Sequence, residues 1–308
     1  MRNQTHYSVY DFSTLEDMPF SAIDYSSLKF GCNEVAKRFG YELAEKFFSQ
    51  NYEKLTSGNF VVIPSPYNYV TNAATSMSKH FVHKLNHLLA FNGGKSVDSS
   101  FIHRKVTYTG DFGFLNKEER EKLINQDSFY INKDFLEGKT IIVLDDVKIT
   151  GAHEDKINAI FDEQNITNDT FFIYYGNYLK RGVGADIEGA INFAAIKNID
   201  DYIALAQKPS YNLIVRPIKY LFRRTEYEFQ KAINALPTEL VQEIYYGCLG
   251  ENYHLLEENK VNFDYISNHE KITGVHKKEI FKVNIDYISS NDKITGINKK
   301  VLSTDNIN

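Results

Sequence analysis

The sequence predicts an α/β protein: a mainly parallel sheet flanked by helices, followed by a C-terminal helical appendage and a short repeat tail. Up to about residue 208, apolar runs of strand length alternate with longer amphipathic stretches. From Pro209 onward the apolar residues recur three and four apart and no strand pattern is evident. Strands and helices that alternate in this way imply right-handed crossovers and parallel pairing.

Composition restricts the class of protein. The chain has 308 residues, a net charge of −5 and a pI near 6.0, which argues against a duplex-binding or membrane-surface protein. We see no apolar run of membrane-spanning length and no leader pattern, so we expect a cytoplasmic protein. Only two cysteines are present, Cys32 and Cys248, too few for a disulfide framework or a thiolate metal site.

We expect three segments: a main domain at 1–208, a helical extension at 209–250 and a tail at 251–308. In the tail, residues 262–278 and 284–300 align without gaps at an offset of 22 residues (284 − 262 = 22). Two copies are too few for a self-supporting solenoid, so we expect the tail to lean on the body or on another chain. The extension is expected to pack on the main sheet or on a partner, either in a homodimer or with another protein.

The early elements follow from periodicity. Residues 1–27 are mixed and aromatic, are interrupted at Pro19, and are expected to cover an edge of the sheet. An apolar stripe of period four predicts a helix over 33–55. A short apolar run predicts a strand at 59–63, and the spacing of its apolar residues predicts a helix over 73–89.

Later elements follow in the same way. A helix is predicted at 116–125, buried strands at 141–144 and 170–176, and a helix from 153 to 164. Residues 190–196 fit either a further strand or a buried helical turn. Two or three short helices are predicted in the extension, divided at Pro217 and Pro237.

The strand at 141–144 is the feature around which the chain is organised. It ends in Asp145 and Asp146, and a small polar turn then leads into a helix. The unpaired backbone N–H groups of a helix N-terminus bind phosphate, and adjacent acids can hold sugar hydroxyls and Mg²⁺. The alternatives are the acidic pair of a receiver domain or a nucleotide hydrolase, and a plain solvated strand end.

The stretch LDDVKITGAH resembles the phosphoribosyl-pyrophosphate (PRPP) signature of type I phosphoribosyltransferases, and the order of motifs is most similar to ComF-like members. The resemblance implies that Asp145 and Asp146 bind ribose and Mg²⁺ as catalytic and metal-binding residues. It also implies a 5′-phosphate site formed by Ile149, Thr150, Gly151, Ala152 and His153. The family commonly has threonine where this chain has Ile149 and His153.

The resemblance also assigns a pyrophosphate loop and a cationic flap. The loop after the first strand is similar to a degenerate Arg-Gly-Phe-Asn-Gln stretch, and its predicted site residues are Ser65, Tyr69, Thr71 and Asn72. The family's arginine is missing from it. Arg104 or Lys105 would supply a catalytic cation from the flap, although both fit equally well as exposed bases on a strand end.

Two other basic positions have a plainer interpretation. The turn that carries Lys29 resembles the hood of orotate-type members, where it would contact pyrophosphate or base, but a surface lysine before a helix is the favoured interpretation. Arg223 and Arg224 fit a solvated face better than a nucleic-acid patch on this acidic protein.

Three functions remain open at this level. The first is a transferase of nucleotide metabolism that takes PRPP with Mg²⁺ and moves the 5-phosphoribosyl group to a nitrogenous base or related acceptor, or that binds a nucleotide monophosphate. The second is a non-catalytic module that senses PRPP or a nucleotide and acts through a protein partner. The third is a degenerate phosphoribosyltransferase fold used only as a scaffold.

Overall fold

In the computed structural model, the described residues are 2–106, 127–180 and 185–274, with the backbone alone described at 104–106, 127, 128 and 185. The strands are β1 Gln4–Phe12, β2 Phe60–Pro64, β3 Asp98–Ser99, β4 His103–Val106, β5 Asp127–Tyr130, β6 Thr140–Lys148 and β7 Thr170–Tyr178. Five of them form one sheet in the order β1-β7-β6-β2-β3, and every neighbouring pair in it is parallel. The predicted parallel sheet is therefore confirmed. Strands β4 and β5 form a separate antiparallel pair.

Helices cover the sheet and continue beyond it. The first group is α1 Ala22–Lys29, α2 Asn33–Gln50, α3 Tyr52–Ser57, α4 Ala73–Phe91, α5 Lys133–Leu136 and α6 Ala152–Glu163. The second group is α7 Ala185–Asn192, α8 Ile199–Ala206, α9 Val215–Phe222, α10 Glu226–Ala235, α11 Thr238–Gly250 and α12 Lys260–Asn268. None of the helices in the described residues has the length and apolar character to cross a membrane.

Strand β6 lies in the middle of the sheet and is buried on both faces. Ile142 and Leu144 belong to the core that contains helices α2 and α4, while Ile141 and Val143 belong to the core on the side of α6. Successive side chains of a strand point to opposite faces, so a continuous apolar run is expected when both faces are covered. The end of β6 is thus held rigidly at the centre of the molecule.

Helices α2 and α4 pack closely because Gly40 has no side chain. A Cβ atom at Gly40 would lie 2.6 Å from the carbonyl oxygen of Met77, closer than a real Cβ atom approaches. The preceding residue, Phe39, stacks on Tyr175 of β7 with ring centroids 3.9 Å apart. The two helices therefore form a fixed layer against one face of the sheet.

The structure differs from the sequence predictions in three places and decides between two alternatives in a fourth. The predicted helix over 33–55 is broken at Asn51 into α2 and α3, and residues 4–12 form the edge strand β1 itself. Residues 190–192 lie in α7, so the helical alternative is the observed one there. Pro217 lies inside the first turn of α9 and does not divide two helices, because a proline there removes only an N–H that has no partner in the helix.

The C-terminal helices share the core of the sheet. Phe30, at the end of α1, packs edge-on against Tyr220 of α9 with ring centroids 5.2 Å apart, and it also contacts Tyr202 of α8. All three are buried. The predicted helical character of 209–250 is confirmed, whereas the boundary at 208 stays a prediction. The helix predicted at 116–125 lies outside the described residues.

The first repeat copy is docked on the C-terminal helices. Asn262 donates from its amide nitrogen to the carbonyl oxygens of Phe222 and Arg224, at 3.1 and 3.0 Å. Lys271 donates to three carbonyl oxygens at the end of α10, those of Ile233, Asn234 and Leu236. The second copy lies outside the described residues.

Candidate functional site

The turn between β6 and α6 is built to leave backbone amides open. Gly151 has φ +85°, the left-handed conformation, and is the N-cap residue of α6. The Thr150 hydroxyl accepts a hydrogen bond from the Ala152 amide at 3.3 Å. Within the described residues, the backbone N–H groups of Thr150, Gly151 and His153 have no acceptor. A helix N-terminus with open N–H groups attracts phosphate.

Asp145 is buried and paired with His153. His153 Nδ1 donates to Asp145 Oδ2 at 2.8 Å, and the Asp146 amide donates to Asp145 Oδ1 at 2.9 Å. Burial raises the pKa of Asp145, but the hydrogen bond and charge of His153, helped by Lys29, outweigh it and hold the pKa below its usual value. The same hydrogen bond raises the pKa of His153 above its usual value. The contact therefore favours the ionised carboxylate of Asp145 and the protonated imidazole of His153.

Asp146 is enclosed more completely than Asp145. Its Oδ2 accepts from Lys29 Nζ at 2.6 Å, and its Oδ1 accepts from the Tyr25 hydroxyl at 3.0 Å and the Val147 amide at 2.7 Å. Burial, followed by the charges of Asp146 and Asp145, raises the pKa of Tyr25 well above its usual value, so Tyr25 stays a hydrogen-bond donor. The Lys29 and Tyr25 side chains both belong to α1, more than a hundred residues earlier in the chain.

The acids do not fit a resident magnesium site as they are arranged. Each of the four carboxylate oxygens of Asp145 and Asp146 already accepts a hydrogen bond, and Lys29 and His153 are two of the donors. Mg²⁺ requires near-octahedral oxygen ligands. In the described residues, no group of three or more His, Cys, Asp or Glu side chains is placed to hold a metal ion.

A cavity of about 510 Å³ opens beside the acids, between the carboxyl ends of the strands and the C-terminal helices. Lys29 and His153 form part of its wall, so Asp145 and Asp146 lie one contact behind that wall. Among the described residues, the lining contains one carboxylate, that of Glu251, and six lysine and arginine side chains, namely Lys29, Lys156, Arg216, Lys219, Arg223 and Arg224. The cavity is thus strongly basic within an acidic protein.

Only part of the predicted pyrophosphate loop faces this cavity. Ser65 and Asn72 line it, and the buried Ser65 hydroxyl has no hydrogen-bond partner in the described residues. The side chain of Asn72 caps α4 through Thr75 and also donates to the Ser65 and Pro66 carbonyls, so it shapes the loop. Tyr69 is 61% exposed. The Thr71 carbonyl oxygen accepts from the Val215 amide at 2.9 Å.

A carboxylate from the C-terminal region occupies the backbone amides of this loop. Glu251 Oε1 accepts from the amides of Tyr69 and Val70, at 2.9 and 2.7 Å. Gly250 makes the approach possible, because a Cβ atom there would lie 2.2 Å from the Tyr69 ring. The Glu251 carboxylate thus occupies two amide donors of the loop and joins the loop to the end of α11.

Glu154 lies in the first turn of α6 and accepts hydrogen bonds from three neighbouring strands. It accepts from Lys148 Nζ at 2.6 Å, from the Tyr174 hydroxyl at 2.5 Å and from His6 Nε2 at 2.8 Å. Burial raises its pKa, but these three donors outweigh burial and lower it. Glu154 therefore fastens the first turn of α6 to β1, β6 and β7.

The predicted flap cations have a described backbone only. Arg104 and Lys105 lie in β4, where they pair with Phe129 and Ser128 of β5, and their side chains lie outside the described residues. Phe129 lines the cavity, so the β4–β5 pair adjoins the site. The role predicted for Arg104 or Lys105 stays a prediction.

Comparison with known families agrees with this geometry. The family model described as PRTase ComF-like matches residues 3–266, nearly the whole of the chain that the structure describes. The chain belongs to the ComF-like phosphoribosyltransferase family. A comparison with curated proteins finds no match.

Solved phosphoribosyltransferases are distant from this ComF-like chain. A Staphylococcus aureus hypoxanthine phosphoribosyltransferase is 8% identical with a TM-score of 0.30, over 46% of this chain and 64% of its own, less than two thirds. An L. donovani hypoxanthine-guanine phosphoribosyltransferase is 15% identical with a TM-score of 0.29, over 52% and 75%.

Sequence reasoning did not assign three contributors to this candidate site. Lys29 is not the surface lysine that was favoured, because its side chain is 15% exposed and pairs with Asp146. Glu251 carried no signal, since single acids are common. The basic face of α9 and its C-cap did carry a sequence signal. Arg216, Lys219 and Arg223 are spaced three and four apart, which places them on one side of a helix. Arg223 thus lines the cavity and is not merely part of a solvated face.

Proposed function

We propose that this chain binds PRPP and transfers its 5-phosphoribosyl group to a nitrogenous base or related acceptor, as a cytoplasmic enzyme of nucleotide metabolism. One observation carries the proposal: two buried acids on a central strand meet a glycine turn with open backbone amides, beside a basic cavity of about 510 Å³. Family membership supports the same reaction class.

Each residue would have a defined task in this reaction. The amides of Thr150, Gly151 and His153 would hold the 5′-phosphate, helped by the positive charge of His153. The ribose hydroxyls would take over the acceptor oxygens of Asp145 and Asp146 that Lys29 and His153 occupy now. Departure of pyrophosphate leaves positive charge on the ribose ring, and the two nearby carboxylates favour that charge.

Magnesium belongs to the substrate in this proposal. The acids do not offer an open ligand set, so Mg²⁺ would enter bound to the pyrophosphate of PRPP. The basic cavity would then receive a pyrophosphate whose charge is only partly neutralised. Mg²⁺ without PRPP is expected to bind no more tightly to the wild-type chain than to a variant without the two acids.

A second candidate is a PRPP or nucleotide sensor that acts through a protein partner. The observation in its favour is Glu251, whose carboxylate occupies two amides of the pyrophosphate loop. A loop without its arginine and with an acid in its anion position is poorly suited to stabilising a leaving group.

Isothermal titration with PRPP, with and without Mg²⁺, tests the binding claim. We expect binding to be weakened at least about a hundredfold by D145N combined with D146N, because several charge-assisted hydrogen bonds are lost. E163Q, an exposed acid near the far end of α6, is the control and is expected to bind like wild type. Pyrophosphate release with a pool of bases would establish the transferase, tight binding without release would establish the sensor, and absence of binding would refute both.

A further inference from the structure

The C-terminal helices form the cavity wall opposite the acids, and α9 is the main element of that wall. Its first amide, that of Val215, is bonded to the Thr71 carbonyl oxygen of the pyrophosphate loop at 2.9 Å. Ile218 on the opposite side of α9 is buried against Gly247 of α11, where a Cβ atom would lie 2.5 Å from the Ile218 side chain. The position of α9 relative to the loop is therefore fixed at both sides.

The exposed face of α9 carries positive charge along its whole length. Arg216, Lys219 and Arg223 all line the cavity. At a rise of 1.5 Å per residue, Arg216 and Arg223 lie roughly 10 Å apart along the axis. Arg216 is next to the loop, and its charge is felt at Tyr25, whose pKa it lowers against the larger effect of burial. Arg223 lies two turns further from the loop.

Pyrophosphate at the loop would use the near end of this face and leave the far end for another group. The far end also has aromatic character, since Phe193 and Tyr220 line the cavity with ring centroids 6.2 Å apart. Phe193 is 38% exposed, so a planar ring can lie against it. The guanidinium of Arg224 lies 4.5 Å from the centroid of the Tyr220 ring, and its buried Nε has no acceptor within the described residues.

We infer that the acceptor is an anionic ring, one that carries a carboxylate or a phosphate, and that Arg223 recognises its charge; this rests on the proposed phosphoribosyl transfer. Arginine binds carboxylate and phosphate through two parallel N–H donors, which gives both charge and orientation. The only carboxylate in the described lining, Glu251, is held by the loop amides. A neutral base would leave the Arg223 guanidinium facing no anion.

Matched pairs of rings test the inference by titration calorimetry. Nicotinate is compared with nicotinamide, orotate with uracil, and phenyl phosphate with phenol, so that each pair isolates the anionic group and the third separates phosphate from carboxylate. We expect the anionic member of at least one pair to bind at least about tenfold more tightly, as one charge-assisted contact provides. R223Q should remove that preference. K208Q, an exposed lysine of the same region outside the cavity lining, should keep it.

Three outcomes would overturn the inference. The first is that neutral members bind as tightly as the anionic ones, and the second is that no anionic ring binds at 10 mM (roughly −2.7 kcal/mol). The third is that R223Q and K208Q lose the preference for the anionic ring equally. Ribose 5-phosphate is titrated in parallel and should bind wild type and R223Q alike. If ribose 5-phosphate fails to bind wild type while the anionic preference persists, the proposed function fails and the anion site remains. If ribose 5-phosphate binds and anionic rings are not preferred, only the proposed acceptor class is refuted.

Discussion

At the scale of single residues, the site is a set of acids whose charges are balanced by cations from other elements. His153 stands where the family commonly has threonine, and it brings a titratable group to the turn between β6 and α6. Its side chain is 73% exposed while that of Asp145 is 8% exposed. The imidazole is therefore accessible to a ligand, and the carboxylate that anchors it is buried.

We predict that the pKa of His153 is raised in the wild type and returns toward its usual value in D145N, because the hydrogen bond to Asp145 is the largest cause of the rise. The measurement is an NMR titration of the imidazole signals in both proteins. His80, whose pKa is lowered mainly by burial, serves as the internal control and should not move. An unchanged His153 titration in D145N would contradict the pairing.

The sign of the linked effect on stability follows from the two shifts. The raised pKa of His153 stabilises the fold at low pH, and this contribution is lost as pH rises through the folded-state pKa. The lowered pKa of Asp145 stabilises the fold at higher pH, and this contribution is lost as pH falls through its folded-state value. The pair therefore contributes most between those two values. The contribution is small because His153 is largely exposed.

Local residues of the site could be predicted from sequence, whereas distant ones could not. The run from Ile141 to Gly151 carries the strand, the acids and the turn in one stretch, and the structure places them together. Lys29 and Tyr25 reach Asp146 across 117 and 121 positions of the chain. A pairing of that kind depends on how α1 packs on the end of the sheet, and no local pattern encodes it.

At the scale of elements, the strands and long helices followed from periodicity, and the breaks did not. The helix over 33–55 is interrupted at Asn51 because the amide side chain and backbone of Asn51 both turn back onto the last carbonyls of α2. The sheet edge β1 lacks an alternating pattern since both of its faces are partly exposed. Parallel pairing with β7 gives it order that its own sequence does not show.

The contact of Glu251 with the pyrophosphate loop makes a prediction about that loop. E251A removes the acceptor of two amides and is expected to cost about 1–3 kcal/mol of unfolding free energy, since the acceptor is charged. E251Q keeps an oxygen acceptor and should cost less. Both variants should bind inorganic pyrophosphate more tightly than wild type, because the negative charge at the loop is gone.

Thermal unfolding and calorimetric titration with pyrophosphate measure the two effects separately. E257Q, an exposed acid six positions later in the chain, is the control for a general change in charge. Weaker pyrophosphate binding in E251Q would contradict the view that the carboxylate occupies an anion position. It would make Glu251 a residue that positions the loop for the ligand.

At the scale of the whole molecule, the C-terminal helices pack into the same hydrophobic core as the sheet. Their aromatic residues complete the core around Phe30, and α9 closes the cavity above the acids. The first repeat copy secures them through Asn262 and Lys271, which satisfy carbonyl oxygens at the ends of α9 and α10. Buried residues on both sides of the predicted boundary at 208 belong to that core, and the boundary itself stays a prediction.

We predict that a chain ending at residue 208 does not fold cooperatively, because it would expose Phe30 and Tyr202, which are 0% exposed in the full chain. The full chain should unfold in a single transition, and F222A, in the middle of the shared core, should lower its stability by about 3–5 kcal/mol. Y227A, which replaces a ring that is 75% exposed on the same helical region, is the matched control and should change stability by less than about 0.5 kcal/mol. Circular dichroism and calorimetry of the truncated and full chains measure these transitions.

A fragment of residues 1–208 with a sharp transition of its own would make the helical region an independent unit. F222A should then affect only a second, separable transition of the full chain.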